Sequence, residues 1–176
     1  NEHKDMQVAY FTAEQAAASV VLNNSADQSG FELEAVALLS DTVQFTLNYG
    51  SLDSEYTESV LAPDGFSPDL FPYAPESMIF ASLEKDFGNY RMRLDHSRIG
   101  EHNAFPYSRL DPRSALTHVE KRAITDFRLL MSPMDNLDLT FWIKNLTDES
   151  YYTHNLSLTN SIESTGDGLI PFKTAL

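Results

Sequence analysis

Five stretches of this chain set apolar and polar residues on alternate positions, and that two-residue period constrains the fold more than any other feature. In FELEAVALL, Phe31, Leu33, Ala35, Ala37 and Leu39 oppose Glu32 and Glu34. In VQFTLNYG, Val43, Phe45, Leu47 and Tyr49 oppose Gln44, Thr46 and Asn48. YRMRLDHS sets Tyr90, Met92 and Leu94 against Arg91, Arg93 and Asp95. DFRLLM sets Phe127, Leu129 and Met131 against Asp126, Arg128 and Leu130. LDLTFWIKN sets Leu137, Leu139, Phe141 and Ile143 against Asp138, Thr140, Trp142 and Lys144. Successive side chains of a strand point to opposite faces, so each stretch reads as a half-exposed antiparallel strand. The expected class is all-β.

The connections between these stretches alternate in length. SDT (40–42), FGN (87–89) and SPMDN (132–136) carry the Gly, Asn, Asp or Pro that tight hairpins need, with turns expected near Asp41, Gly88 and Met134. The connections over about 57–74 and 100–117 are long. TAEQAAASV (12–20) has the composition for a turn or two of helix. Short turns at one end and long loops at the other describe an antiparallel up-and-down β-barrel of the outer-membrane type, or part of one. The charges on the polar face (Glu32, Glu34, Arg91, Arg93, Asp126, Arg128, Asp138, Lys144) are of both signs and suit a wet lumen. A soluble lipocalin-like barrel, with the apolar face turned inward around a small apolar ligand, fits the same period and stands as the alternative.

Composition narrows the functions. With 42% hydrophobic and 22% charged residues the chain is globular rather than disordered. A net charge of -14 offers no basic stripe for nucleic acid, which is not an expected partner. The absence of Cys removes thiolate metal ligands and disulfides. The sequence contains no nucleophile elbow, zinc-binding HExxH, P-loop or dinucleotide fingerprint. The five His (His3, His96, His102, His118, His154) are scattered; His96 and His102 flank the second long loop and read as exposed loop histidines. No catalytic residues, metal site or cofactor are expected, and the chain does not read as an enzyme.

Four stretches, KDMQV (4–8), GFELEA (30–35), LNYGSLDSEY (47–56) and FWIKNLTDESYY (141–152), stand in an order and spacing that resembles the C-terminal barrel of TonB-dependent outer-membrane receptors. Between them, YAPESMIFASLEKDF (73–87) resembles the family's strand entered through a proline after a long loop. The resemblance covers nearly the whole chain. It implies a single barrel segment over 1–176, without the plug domain and without the final barrel strand. With roughly seven strands, the segment is a part of a barrel of about 22. It further implies an outer-membrane location, membrane lipid and a small solute (siderophore, cobalamin or carbohydrate) as partners, and the TonB system acting through an N-terminal region outside these residues. Binding would fall to the long loops, where Phe66, Phe71, Tyr73, His102, Phe105 and Tyr107 are the candidate solute contacts. Tyr151 and Tyr152 are candidates for an interfacial aromatic belt.

Overall fold

The computed structural model describes residues 1–11, 19–61, 67–111, 113–156 and 172–175. In chain order these form β1 (Glu2–Phe11), β2 (Ser19–Ser40), β3 (Val43–Glu58), β4 (Ser77–Asp86), β5 (Tyr90–Ile99), β6 (His102–Asn103), α1 (Arg113–Thr117), β7 (His118–Val119), β8 (Arg122–Met134), β9 (Leu137–Ile143), β10 (Tyr152–Leu156) and β11 (Phe172–Ala175). Seven strands make one antiparallel sheet in the order β1-β2-β3-β4-β5-β8-β9, with β1 and β9 as its outer strands. The pairs β6–β7 and β10–β11 are small separate ribbons. The all-β expectation holds, and the sheet is an open strip of barrel wall. The helix expected over 12–20 falls mostly outside the described residues, and Ser19 and Val20 already belong to β2.

All three short turns lie at one end of the sheet. Asp41 and Thr42 join β2 to β3, Gly88 and Asn89 join β4 to β5, and Asp135 and Asn136 join β8 to β9. Gly88 takes a φ of 88°, which a side chain would strain, and its N–H donates to Asp86 Oδ1 at 2.7 Å. At the other end β3 runs on to Glu58 beyond its last pairing with β4, Ser51 with Ser77. The β2–β3 hairpin therefore projects past β4, and β1 pairs along its projecting part.

The register assembles the alternating positions into continuous rows. Phe45 faces Leu83, Leu83 faces Leu94, Leu94 faces Phe127 and Phe127 faces Ile143. One row nearer the short turns come Val43, Lys85, Met92, Leu129 and Phe141. One row nearer the loops come Leu47, Ala81, His96 and Thr125. Among the described residues no second layer covers this face: Leu83, Leu94, Phe141 and Ile143 are all exposed. A lipocalin-like interior would hide such residues, whereas a sheet facing lipid must show them. Aromatic pairs bracket the face. Phe31 and Tyr49 lie 5.4 Å apart toward the loops, and Phe87 stacks on Tyr90 at 4.6 Å beside the short turn. Tyr151 and Tyr152 lie outside the seven-stranded sheet, Tyr152 at the start of β10. Tyr151 instead lies under the Arg122 guanidinium, 5.3 Å from ring centre to carbon.

The opposite face carries Gln44, Glu84, Arg93, Arg128 and Trp142 in one row and Thr46, Ser82, Asp95 and Asp126 in the next. Two arginines thus face each other, and so do two aspartates, an arrangement that repels within each row. The repulsion is relieved between rows, where Arg93 Nε donates to Asp95 Oδ1 at 2.7 Å. Arg91 reaches both Glu84 and Asp86, at 3.6 and 2.9 Å.

Candidate functional site

Most of the buried residues lie at the loop end, where the two long connections meet β1 and the first half of β2. Leu22 and Tyr107 form its core, with Val20 and Phe105 against them. The loop after β3 and the loop after β5 are joined along their backbones. The N–H groups of Asp69 and Leu70 donate to the Tyr107 carbonyl, that of Tyr73 to the Asn103 carbonyl at 2.8 Å, and Pro72 bridges Asn103. The Asp69 carboxylate accepts the Arg109 N–H at 2.7 Å. The long loops are one structured unit, because segments lacking a regular ladder still have to satisfy their backbone groups.

The loop candidates fall into distinct places. Phe71 stacks on Tyr56 with ring centres 4.9 Å apart. Tyr73, held at a left-handed φ of 54°, is 55% exposed and leans toward His102, ring centres 6.1 Å apart. His102 Nδ1 lies 3.3 Å from the Gly100 carbonyl. Phe105 stacks on Tyr107, but Tyr107 is only 1% exposed and serves packing, since its bulk fills the space between the loops. Phe66 lies outside the described residues. The structure thus brings Tyr73 and His102 together on an open surface and withdraws Tyr107 from it. His96 is not a loop residue: it sits on the exposed apolar face of β5, 3.0 Å from Thr125 Oγ1.

A cleft of about 430 Å³ opens beside this unit, lined by Glu55, Tyr56, Ser59, Ser67, Asp69 and Ser108 among others. It is a polar cleft with two carboxylates. The Tyr56 hydroxyl is enclosed and has no hydrogen-bond partner among the described residues. Burial pushes its phenol up to about 12, because the anion cannot be hydrated there. None of the polar cleft residues was among the candidate solute contacts. An isolated Glu or Ser in a loop carries no pattern, and only the folded backbone gathers them. Among the described residues no group of three or more His, Asp or Glu is placed to hold a metal ion. Nothing here pairs a nucleophile with a base; the arrangement can bind and orient, through ring faces, hydroxyls and carboxylates.

No family model and no curated protein sequence matches the chain. Solved structures do. The ferric yersiniabactin uptake receptor FyuA from Yersinia pestis superposes with a TM-score of 0.67 at 20% identity, over 88% of this chain and 22% of that one. The ferric-catecholate import receptor Fiu from K12 E. coli matches at 0.62 and 17% identity, over 86% of this chain and 20% of that one. The copper transporter OprC matches at 0.63 and 13% identity, over 98% of this chain and 25% of that one. All three are TonB-dependent receptors. The chain spans about a quarter or less of the structures it matches. Its fold is that of a stretch of the β-barrel of TonB-dependent receptors.

Proposed function

We propose that this chain is part of an outer-membrane receptor that takes up a scarce solute with energy from the TonB system. The observation that carries the reading is the two-faced sheet: an uncovered apolar face on one side, a charged face on the other, and structured long loops at one end only. A sheet of this kind is at rest when lipid covers the first face and water the second. Transport rather than catalysis is the work such a wall does. TonB would act through a region outside these residues.

The solute would be met by the loop unit. Tyr73 beside His102 and the stacked Tyr56–Phe71 pair offer ring faces to a planar or chelating group. FyuA and Fiu, named for uptake of ferric compounds, favour a ferric chelate over a cobalamin or a carbohydrate. Deletion of 100–117 from the intact receptor should abolish uptake of the solute while the barrel still reaches the outer membrane. Uptake at the original rate would remove this loop from the binding site.

A further inference from the structure

Two side-chain polar atoms are buried without a hydrogen-bond partner among the described residues, the Tyr56 hydroxyl and Asn24 Nδ2. The register sets them near each other. Tyr56 on β3 pairs with Ala26 on β2, and Asn24, only 1% exposed, is two residues from Ala26 on the same face of that strand. Asn24 Oδ1 accepts the Val60 N–H at 3.0 Å, one residue past Ser59, which lines the polar cleft together with Tyr56. Both unpartnered atoms can donate. An amide nitrogen has N–H groups and no lone pair to offer, and burial keeps the Tyr56 phenol protonated. A buried donor left unmet is unfavourable, and native proteins carry few of them.

The rim of the same cleft has the opposite character. Glu55 has no ion-pair partner among the described residues, and Asp69 uses Oδ1 alone, on the Arg109 N–H. Ser59 Oγ donates to the Pro68 carbonyl at 3.0 Å, which leaves its lone pairs to accept. No Lys or Arg is among the described lining residues, and 62–66, next to Ser67 in the chain, contain none either. At about 430 Å³ the cleft falls in the size range of small-ligand sites, about 300–1,000 Å³. A cation at this rim meets two carboxylates and no base; an anion there is repelled by both.

Resting on the receptor reading proposed above, we infer that this cleft holds an arm of the solute that carries a primary ammonium next to an amide or hydroxamate group. The ammonium lies between Glu55 and Asp69 at the rim, and the carbonyl-type oxygen reaches the donors of Tyr56 and Asn24 at the floor. The solute is then a ferric chelate with a positively charged arm, and an anionic catecholate chelate is disfavoured.

The test measures, by titration calorimetry, the binding of ferric chelates to the intact receptor that contains this chain. The probes are a linear trihydroxamate with a free terminal amine, the same compound acetylated on that amine, and a catecholate. The amine form should bind about tenfold more tightly than the acetylated form, the size of one hydrogen bond between charged groups. Glu55→Gln and Asp69→Asn should each shrink that difference about threefold, as for a partly exposed ion pair. Asn at 69 still offers an oxygen to the Arg109 N–H, so the loops stay tied. Glu76→Gln, exposed and outside the cleft, should keep the full difference. Tyr56→Phe should weaken both trihydroxamate forms alike, by about fivefold, with an unchanged unfolding midpoint. Equal affinity for the two forms, or a preference for the catecholate, overturns the cationic arm and leaves the receptor reading in place. Unchanged affinity in Tyr56→Phe overturns the role of the buried donors. Failure of the parent to bind any of the three chelates overturns the ferric-chelate reading, and this inference with it.

Discussion

Asp69 Oδ1 accepts the backbone N–H of Arg109 at 2.7 Å, although the two residues are 40 positions apart and belong to different loops. The loops that would bind solute are therefore coupled by a side chain and do not move independently. Asp69→Ala should free the 108–111 turn, at a cost of about 0.5–1.5 kcal/mol to local stability. Hydrogen exchange at Arg109 would rise while exchange in β4 and β5 stays as it was. Unchanged exchange at Arg109 would show that the loop backbone pairing holds without this bond.

Depth along the uncovered face should be readable as energy. Leu94 stands in the central row with Phe127, whereas Leu139 pairs with Met131 in the row beside the β8–β9 turn. Alternation puts Leu139 on the apolar face without fixing its depth, and the register places it at the rim. Leu94→Arg should cost about 2–4 kcal/mol of barrel stability, and Leu139→Arg about 0–1 kcal/mol. Urea titration of the two variants in lipid vesicles checks the ratio; equal costs would refute the assignment of this face to lipid.

Tyr56 gives a pH dependence with a defined sign. Its phenol is raised from 10.0 to about 12, so the folded protein favours the neutral form. The contribution to stability is fully present below pH 10, the unfolded value, and fades as pH climbs toward 12. A phenolate absorbance titration should therefore lose its last step in Tyr56→Phe. Since the hydroxyl has no partner among the described residues, that variant should be neutral or slightly more stable. A loss above about 1 kcal/mol would mean that the hydroxyl is bonded after all.

Two glycines in the β2–β3 hairpin should behave differently. A Cβ on Gly30 would overlap the Ser51 carbonyl oxygen, whereas one on Gly50 meets nothing within 4 Å. Gly30→Ala should cost about 1–3 kcal/mol through displaced backbone. Gly50→Ala should be close to neutral. Thermal unfolding in detergent compares them directly, and identical midpoints would contradict the close approach at Gly30.

The wall of this molecule was legible because period two is a local signal, and each row of Phe45, Leu94 and Phe127 repeats it. The register was not legible, and with it the depth of Leu139, since a shift of two residues leaves the alternation unchanged. Loop geometry was less legible still. Phe71 and Tyr73 read as exposed rings, and both line the loop unit; Tyr107 reads the same way, yet it is buried against Leu22. No periodicity separates a loop aromatic that packs from one that is presented. His96 shows the converse case, as its place on β5 follows from pairing with Thr125 rather than from its nearness to a loop.

The facing arginines and facing aspartates of the charged side have a consequence for anything that travels along it. Arg93 and Arg128 occupy one row, Asp95 and Asp126 the next, so opposite charges recur at a spacing of about 7 Å. That spacing is shorter than the screening length of about 8 Å in physiological salt. The two rows quench each other before their field extends into the channel. A solute sliding past these two rows would meet brief tugs of alternating sign from them. In the proposed receptor, sorting by charge would fall to carboxylates outside these two rows, Glu32 and Glu34 on the same face and Glu55 and Asp69 at the rim.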